Sequence, residues 1–449
     1  MNWSKSPPTS PASSLRAEQK AARRRLIIAG IVGNALEWYD FAIYGYFAAI
    51  IGRLFFPAPD VVGATINAYG AFAAGFLMRP IGGLLFGHIG DRASRRLALM
   101  LSVLAMAIPT FLIGVLPDYA QIGITAAVLM VVLRMIQGLS VGGEYTTSVV
   151  LLVEWAEPRR RGFMGSWSVF GAVTGILLGS AVAALINVTF SPSDVETWAW
   201  RIPFLGGLIV GLLGFYIRRH MVDVPMPAVP REKLPGLLVV EACRRHWREM
   251  LQVGGWAMLN GVSFYLIFVY VVTYLQQVVQ ISAKEALTIN TANMMVTLLL
   301  IPIAGATSDR VGRKPLLVGS ALGLMVFAWP LFWMLGRQSS SEILLGQLGF
   351  AVLMGVFLGV GAPMMAQIFR AEVRCSALAI AYNVCLAVFG GTTPAVCAYL
   401  VAHTHNNFAP AFYLMVVAAA SSAVILTVKE TAEIAEPPFD SQLDRAQTG

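Results

Sequence analysis

The segment GNALEWYDFAIYGYF, residues 33–47, carries Asn34, Glu37, Asp40 and Tyr44 inside an otherwise apolar run. On a helix of 3.6 residues per turn these four fall within an arc of about 120°. The opposite side holds Val32, Ala35, Tyr39, Ala42 and Ile43, and Phe41 is the large apolar group within the polar arc. At a rise of ~1.5 Å per residue, Glu37 and Asp40 lie about 16 and 21 Å from the start of the run. An ionised acid at that depth in a membrane costs several kcal/mol, so it is paired, hydrated or protonated. Arg79 and Arg134 are the basic residues placed within apolar stretches, and they are the expected charge partners. Two roles fit: an ion pair that orients helices, or a proton site or substrate contact. A carboxylate balanced between desolvation and a nearby arginine can take a proton from one side and release it to the other. The planar guanidinium fork also suits a substrate carboxylate, for which Arg79 and Arg134 are candidates. Asn34, Tyr44, Gln137 and Glu144 add polar groups. From the second half, Asn260, Tyr265, Tyr270, Tyr274, Gln367, Tyr382 and Asn383 offer hydrogen bonds without charge. Tyrosines in such stretches also serve as packing groups or interface anchors.

These groups need membrane-spanning helices to hold them. The 449-residue chain is 57% hydrophobic and 12% charged, against about 25% charged in soluble domains. Apolar runs of about 20 residues, the length that crosses a hydrocarbon core, recur throughout. They do not alternate as barrel strands do. The expected class is an all-α polytopic membrane protein with twelve spans, near 26–52, 62–86, 97–117, 121–153, 163–187, 201–218, 251–277, 287–306, 315–335, 342–369, 376–402 and 409–428. Lys and Arg concentrate in alternate connections, which places both termini in the cytoplasm. The first apolar run is too long for a cleaved signal peptide. The net charge of +8 follows this topology and forms no basic stripe with interleaved aromatics, so nucleic acid is not an expected partner.

A basic, Pro-studded break at 219–250 divides the spans into six-helix bundles at 26–218 and 251–428, flanked by tails at 1–25 and 429–449. Each bundle carries the same loop between its second and third spans: GHIGDRASRRLAL (87–99) and GATSDRVGRKPLL (305–317). Two occurrences at equivalent positions indicate an internal repeat. Parallel halves with a site at their interface are a transporter architecture. In these loops Gly87 and Gly312 let helix ends approach, and Asp91 or Asp309 can cap a helix N-terminus or pair with an arginine. Arg92, Arg95, Arg96, Arg310, Arg313 and Lys314 are expected to face cytoplasmic water and anionic lipid. Beyond marking topology, the two loops can form a cytoplasmic gate that closes when the centre opens outward. Glu144, Glu154, Glu372 and Arg374 are expected in gate or helix-end ion pairs. The series Gly171, Gly175, Gly179 reads as a stripe for close helix packing.

The paired loops resemble the signature of the major facilitator superfamily. GNALEWYDFAIYG, FLMRPIGG (76–83), RMIQGLSVGGEY (134–145), RRRGFMGSW (159–167), WAWRIPF (198–204) and EVRCSALAIAYN (372–383) are together similar to its metabolite:proton symporter family. Ser94 stands where that family's first loop usually has glycine. The resemblance implies carriage of a small polar metabolite driven by a proton gradient across a bacterial inner membrane. The members include carriers of citrate, 2-oxoglutarate, shikimate, and proline or betaine. The proline-containing motif of the antiporters is missing from GAVTGILLGS, which favours symport.

No HExxH, GxSxG or P-loop occurs, so neither an enzyme nor an ATP-driven pump is expected. Neither the four cysteines nor the five histidines (His403 and His405 the nearest pair) suggest a metal site, and no cofactor is expected. The expected partners are a small-molecule substrate, protons and membrane lipid, with the chain acting as a monomer. Among substrates an organic acid is favoured over a proline- or betaine-type solute, because the short tail after Lys429 lacks the coiled-coil extension of osmotically sensing relatives. A channel without proton coupling is the alternative from another class.

Overall fold

A computed structural model describes residue 28 and residues 31–92, 95–142, 144–219, 244–369 and 374–430. The expected tails apart from Lys429 and Glu430, most of the central loop, Ser94 and Glu372 lie outside these residues. So do the side chains of Asp91, Arg92, Arg95, Arg96 and Glu144.

The described residues form twelve long helices. They are α1 (31–55), α2 (Val61–Leu77, continuing as Arg79–Arg92), α3 (Arg95–Val115), α4 (Ile124–Ser140, continuing as Glu144–Glu154), α5 (Arg161–Thr189) and α6 (Ile202–Arg219). The second six are α7 (Trp247–Tyr265, then Leu266–Tyr270 and Val271–Gln277), α8 (Ala283–Val311), α9 (Arg313–Leu335), α10 (Ser340–Ile368), α11 (Arg374–Cys385, then Leu386–Gly390 and Thr393–Thr404) and α12 (Ala409–Leu426). The middle pieces of α7 and α11 are π-helical, a wider turn that often marks functional positions. Large apolar side chains such as Leu185, Ile209, Leu299 and Val416 are exposed on the outside, as a lipid-facing surface requires.

The helices meet across the two halves chiefly through α5 with α8 and α10, and through α11 with α2 and α4. Glycine decides how closely α1 and α5 approach. A Cβ on Gly175 would sit 2.2 Å from the Ala35 carbonyl oxygen, and one on Gly171 would sit 2.7 Å from the Ile31 backbone. The glycine stripe therefore packs α5 directly on α1. As a result Tyr39, Ala42 and Ile43, opposite the acids, are buried along with Glu37 and Asp40. The same device joins α2 to α4: a Cβ on Gly138 would lie 1.8 Å from the Gly75 carbonyl oxygen. This brings the helices of Arg79 and Arg134 together.

Candidate substrate and proton site

Asp40 and Arg134 lie on α1 and α4, both buried (3% and 0% exposed). Arg134 donates to Gln137 Oε1 at 2.8 Å, and Gln137 donates to Thr110 Oγ1 of α3 at 2.7 Å. The Thr110 hydroxyl faces the Asp40 carboxylate while donating to the Met106 carbonyl at 2.9 Å. It has one hydrogen, so it serves either Met106 or Asp40. The guanidinium carbon of Arg134 lies 4.7 Å from the Phe41 ring centre, 4.3 Å from Tyr44 and 5.3 Å from Phe72, within cation–π range. Arg134 is thus held by rings and an amide, with polar bridges between it and Asp40. Glu37 and Asp40 share a small cavity with Ser102 and Ser140.

A second, small cavity lies between the halves. Its polar and aromatic wall is Trp38 and Tyr145 from the first half, with Asn260, Phe264, Tyr265 and Tyr382 from the second. All six are buried. Tyr145 stacks on Tyr382 with centres 5.1 Å apart, and Trp38 meets Tyr145 edge-on at 6.1 Å. Arg79, fully buried, lies 5.1 Å from the Trp38 ring and 5.2 Å from Phe76. Its Nε makes a long 3.4 Å contact to Asn383 Oδ1. Arg79 Nη1 and Nη2, Asn260 Oδ1 and the Tyr265 hydroxyl have no hydrogen-bond partner among the described residues. Leaving one such group unsatisfied costs about 1–3 kcal/mol, more when it is charged, so Asn260 Oδ1 and the Tyr265 hydroxyl on the cavity wall suit a polar guest.

Hydrogen bonds join the halves on both sides of this cavity. On one side Tyr69 meets Thr273 at 2.6 Å, Gln277 donates to Thr65 at 2.9 Å, and Asn290 donates to Ser180 at 3.0 Å. On the other, the Gly162 and Phe163 amides at the start of α5 donate to the Asp309 carboxylate at 2.7 and 2.9 Å. There Arg374 also pairs with Glu154 at 2.8 Å, and Asn383 donates to the Gly142 carbonyl at 2.5 Å.

Several residues sit elsewhere than the sequence suggests. Asn34 donates to Ser148 at 3.0 Å and to the Ser168 carbonyl at 3.2 Å, so it ties α1 to α4 and α5 and does not line the central cavity. Tyr44 donates to the Ala68 carbonyl at 3.0 Å and stacks under Arg134, and Gln137 bridges to Thr110. Both belong to the Asp40 side. Arg313, expected in water, is 1% exposed. Gly312, at φ +98°, turns the chain so that α9 begins with Arg313 pointing inward. There it pairs with Asp309 at 3.4 Å and donates to Gln367. Lys314 donates from Nζ to the Leu426 carbonyl at 2.8 Å, and Arg310 is exposed. Trp38, Tyr145, Phe264 and Thr110 were not singled out by sequence. Trp38 and Tyr145 lie inside the quoted motifs, adjacent to Glu37 and Glu144, and that adjacency was the available signal.

Two six-helix halves closing on a buried polar chamber, with each half carrying the same loop, define a membrane transporter and not an enzyme. Residues 26–225 match the family model described as sugar (and other) transporter, and residues 253–446 match the Major Facilitator Superfamily model. The chain is 37% identical over 420 residues to the glycine betaine/proline/ectoine/pipecolic acid transporter OusA of Dickeya dadantii, covering 91% of this chain and 84% of the relative. It is 37% identical, over the same shares, to the proline/betaine transporter of Escherichia coli K12. A putative proline/betaine transporter of Staphylococcus aureus is 30% identical, covering 96% of this chain and 94% of the relative. Among solved structures, the proton:xylose symporter XylE bound to 6-bromo-6-deoxy-D-glucose superposes with a TM-score of 0.72 at 20% identity, covering 92% of this chain and 97% of that one. The chain belongs to the major facilitator superfamily and is a multi-pass membrane protein.

Proposed function

We propose that this chain imports a small zwitterionic solute of the proline/betaine type together with a proton, by alternating exposure of the chamber between its halves. The carrying observation is a small cavity at the half–half interface with the unpaired Asn260 Oδ1 and Tyr265 hydroxyl on its wall, and a buried Arg79 beside the lining Trp38 whose two terminal nitrogens have no hydrogen-bond partner among the described residues. A solute with a carboxylate and a cationic nitrogen brings a partner for that arginine and a net charge of zero. The substrates for which the relatives are named, proline and betaine, support this class over the organic acids.

Asp40 and Glu37 are the proton carriers in this reading, with Arg134 as the counter-charge and Arg79 as the substrate's carboxylate partner. Buried ionisable groups in membrane proteins are functional by default, and the Asp40 cavity lies apart from the substrate chamber. Asn260, Tyr265, Tyr382 and Asn383 act from the second half. The contacts of Asp309, Glu154 and Arg374 form the cytoplasmic gate, to which Gly87, Asp91, Arg92, Arg95, Arg96, Arg310, Gly312, Arg313 and Lys314 contribute. The halves are 26–218 and 251–428, working as a monomer in a bacterial inner membrane with both termini inside, as the Lys and Arg bias supports.

Uptake into proteoliposomes tests this. The expected result is that proline or glycine betaine accumulates only with an inward proton gradient, while citrate, 2-oxoglutarate and shikimate do not. Accumulation of a carboxylate alone would replace the substrate class. Equilibration of every solute regardless of gradient would mean a facilitator.

A further inference from the structure

We infer that Thr110 is a positioning residue of the proton step: its one hydroxyl hydrogen turns between the Asp40 carboxylate and the Met106 carbonyl as Asp40 loses and gains its proton. The inference rests on the proposed function, in which Asp40 carries the proton, and names the group that serves both forms of that buried acid. The roles follow from the hydrogens each group owns. Arginine has donors only, so Gln137 meets Arg134 through Oε1 at 2.8 Å and turns its amide nitrogen to Thr110 at 2.7 Å. Thr110 Oγ1 is therefore an acceptor toward Gln137. That leaves the hydroxyl one hydrogen to give and one lone pair with which to accept. The Met106 carbonyl, at 2.9 Å, can only take that hydrogen. The Asp40 carboxyl group accepts when ionised and donates when protonated.

Both forms of the acid are then served by turning one hydrogen. Ionised Asp40 takes the hydroxyl hydrogen of Thr110. Protonated Asp40 gives its own hydrogen to Thr110 Oγ1, and the hydroxyl turns to Met106, the contact present in the structure. Gln137 stays on Arg134 throughout, so the cation keeps its partner. No bond of the threonine breaks; the proton arrives at the carboxyl group and leaves from it. Asp40 lines the cavity it shares with Ser102 and Ser140, and its Oδ1 has no hydrogen-bond partner among the described residues. That oxygen is left for the incoming proton. Helix α6 holds the threonine in place: a Cβ on Gly207 would lie 2.5 Å from Thr110 Cγ2 and 3.5 Å from Asp40 Oδ1. With its methyl packed there, the side chain is fixed and the hydroxyl hydrogen alone is free to turn. The titratable groups on the helices around Asp40 are Glu37, Tyr39 and Tyr44 of α1 and Arg134 of α4. From α3 and α6 the cavity is lined by Ser102, Val103, Met106, Ala107 and Gly211, none of which titrates.

The test uses the full chain in proteoliposomes with radiolabelled glycine betaine. Thr110→Val keeps the shape and removes the hydroxyl, whereas Thr110→Ser keeps the hydroxyl and removes the methyl. Hydrogen bonds to charged groups are the strong ones, so the loss falls on the ionised acid and slows release of the proton. Thr110→Val should lower the maximal rate of gradient-driven uptake about tenfold, with the KM for betaine within about twofold and betaine exchange retained. Thr110→Ser should recover most of the rate. A threonine that merely packs would give the reverse order, with valine ahead of serine. Wild-type uptake in Thr110→Val, or serine as slow as valine, would overturn the inference, while lost coupling in Asp40→Asn would keep the transport reading. Gradient-independent uptake by the unmodified chain would overturn both. Should Thr110→Val not fold, Thr110→Ser against Thr110→Ala isolates the hydroxyl, because both lack the methyl. Equal rates in that pair would likewise overturn the inference.

Discussion

Arg134 donates a hydrogen bond to Gln137 at 2.8 Å, and Gln137 passes the contact to Thr110 beside Asp40. The buried acid and the buried arginine are therefore coupled through polar intermediaries and not locked in a direct bridge. A carboxylate so placed can be protonated without stranding its counter-charge, because Arg134 keeps its amide and its three rings. Asp40→Asn should abolish accumulation against a gradient while preserving exchange of labelled for unlabelled substrate. Loss of exchange as well would assign Asp40 to the substrate path or to structure.

Replacing Arg134 by lysine keeps the charge but removes the planar group that three rings and Gln137 hold. Breaking a buried charged network typically costs about 3–5 kcal/mol. Arg134→Lys is expected to lower the melting temperature in detergent and to reduce uptake by at least about tenfold. Unchanged stability with normal uptake would show that any cation suffices there.

Asp309 caps the first turn of α5 across the half–half interface. A carboxylate at a helix N-terminus contributes roughly 0.5–2 kcal/mol, and Asn keeps the shape without the charge. In Asp309→Asn the uptake rate should fall several-fold with little change in KM, and cysteines placed at the start of α5 should become more reactive. A raised KM at an unchanged maximal rate would argue for a substrate role instead.

The close approach of α1 and α5 depends on Gly175, where a Cβ would meet the Ala35 carbonyl oxygen at 2.2 Å. That atom is backbone, so it cannot swing aside. Overpacking costs typically about 1–3 kcal/mol, and Gly175→Val also moves the helix that carries Glu37 and Asp40. The variant should lose thermal stability and transport together, whereas Gly70→Ala, with no neighbour within 4 Å of its added carbon, should be silent in both.

The helices and their approximate limits were legible because each apolar run is near membrane length and carries few charges. The repeat between the halves was visible in two short loops. Asp309 as a helix cap was among the roles the residue type allowed, but which helix it caps depends on the far half of the chain. Arg313 misled because a basic residue in a loop motif reads as solvated, and only the left-handed turn at Gly312 sends it inward. Trp38 and Tyr145 were hidden because aromatic residues in an apolar helix look like packing until the opposing helix supplies Tyr382. The short tail pointed to organic acids, yet the Staphylococcus aureus relative, matched over 94% of its own length, carries a proline/betaine name.

The most direct measurement follows protons, not substrate. Proteoliposomes loaded with a pH-sensitive dye, with no imposed gradient, are given a pulse of glycine betaine. Coupled import predicts internal acidification that saturates with betaine, is absent with sucrose, and disappears in Asp40→Asn. Betaine entry with no change in internal pH would contradict proton symport and leave the buried acids of α1 a purely structural role.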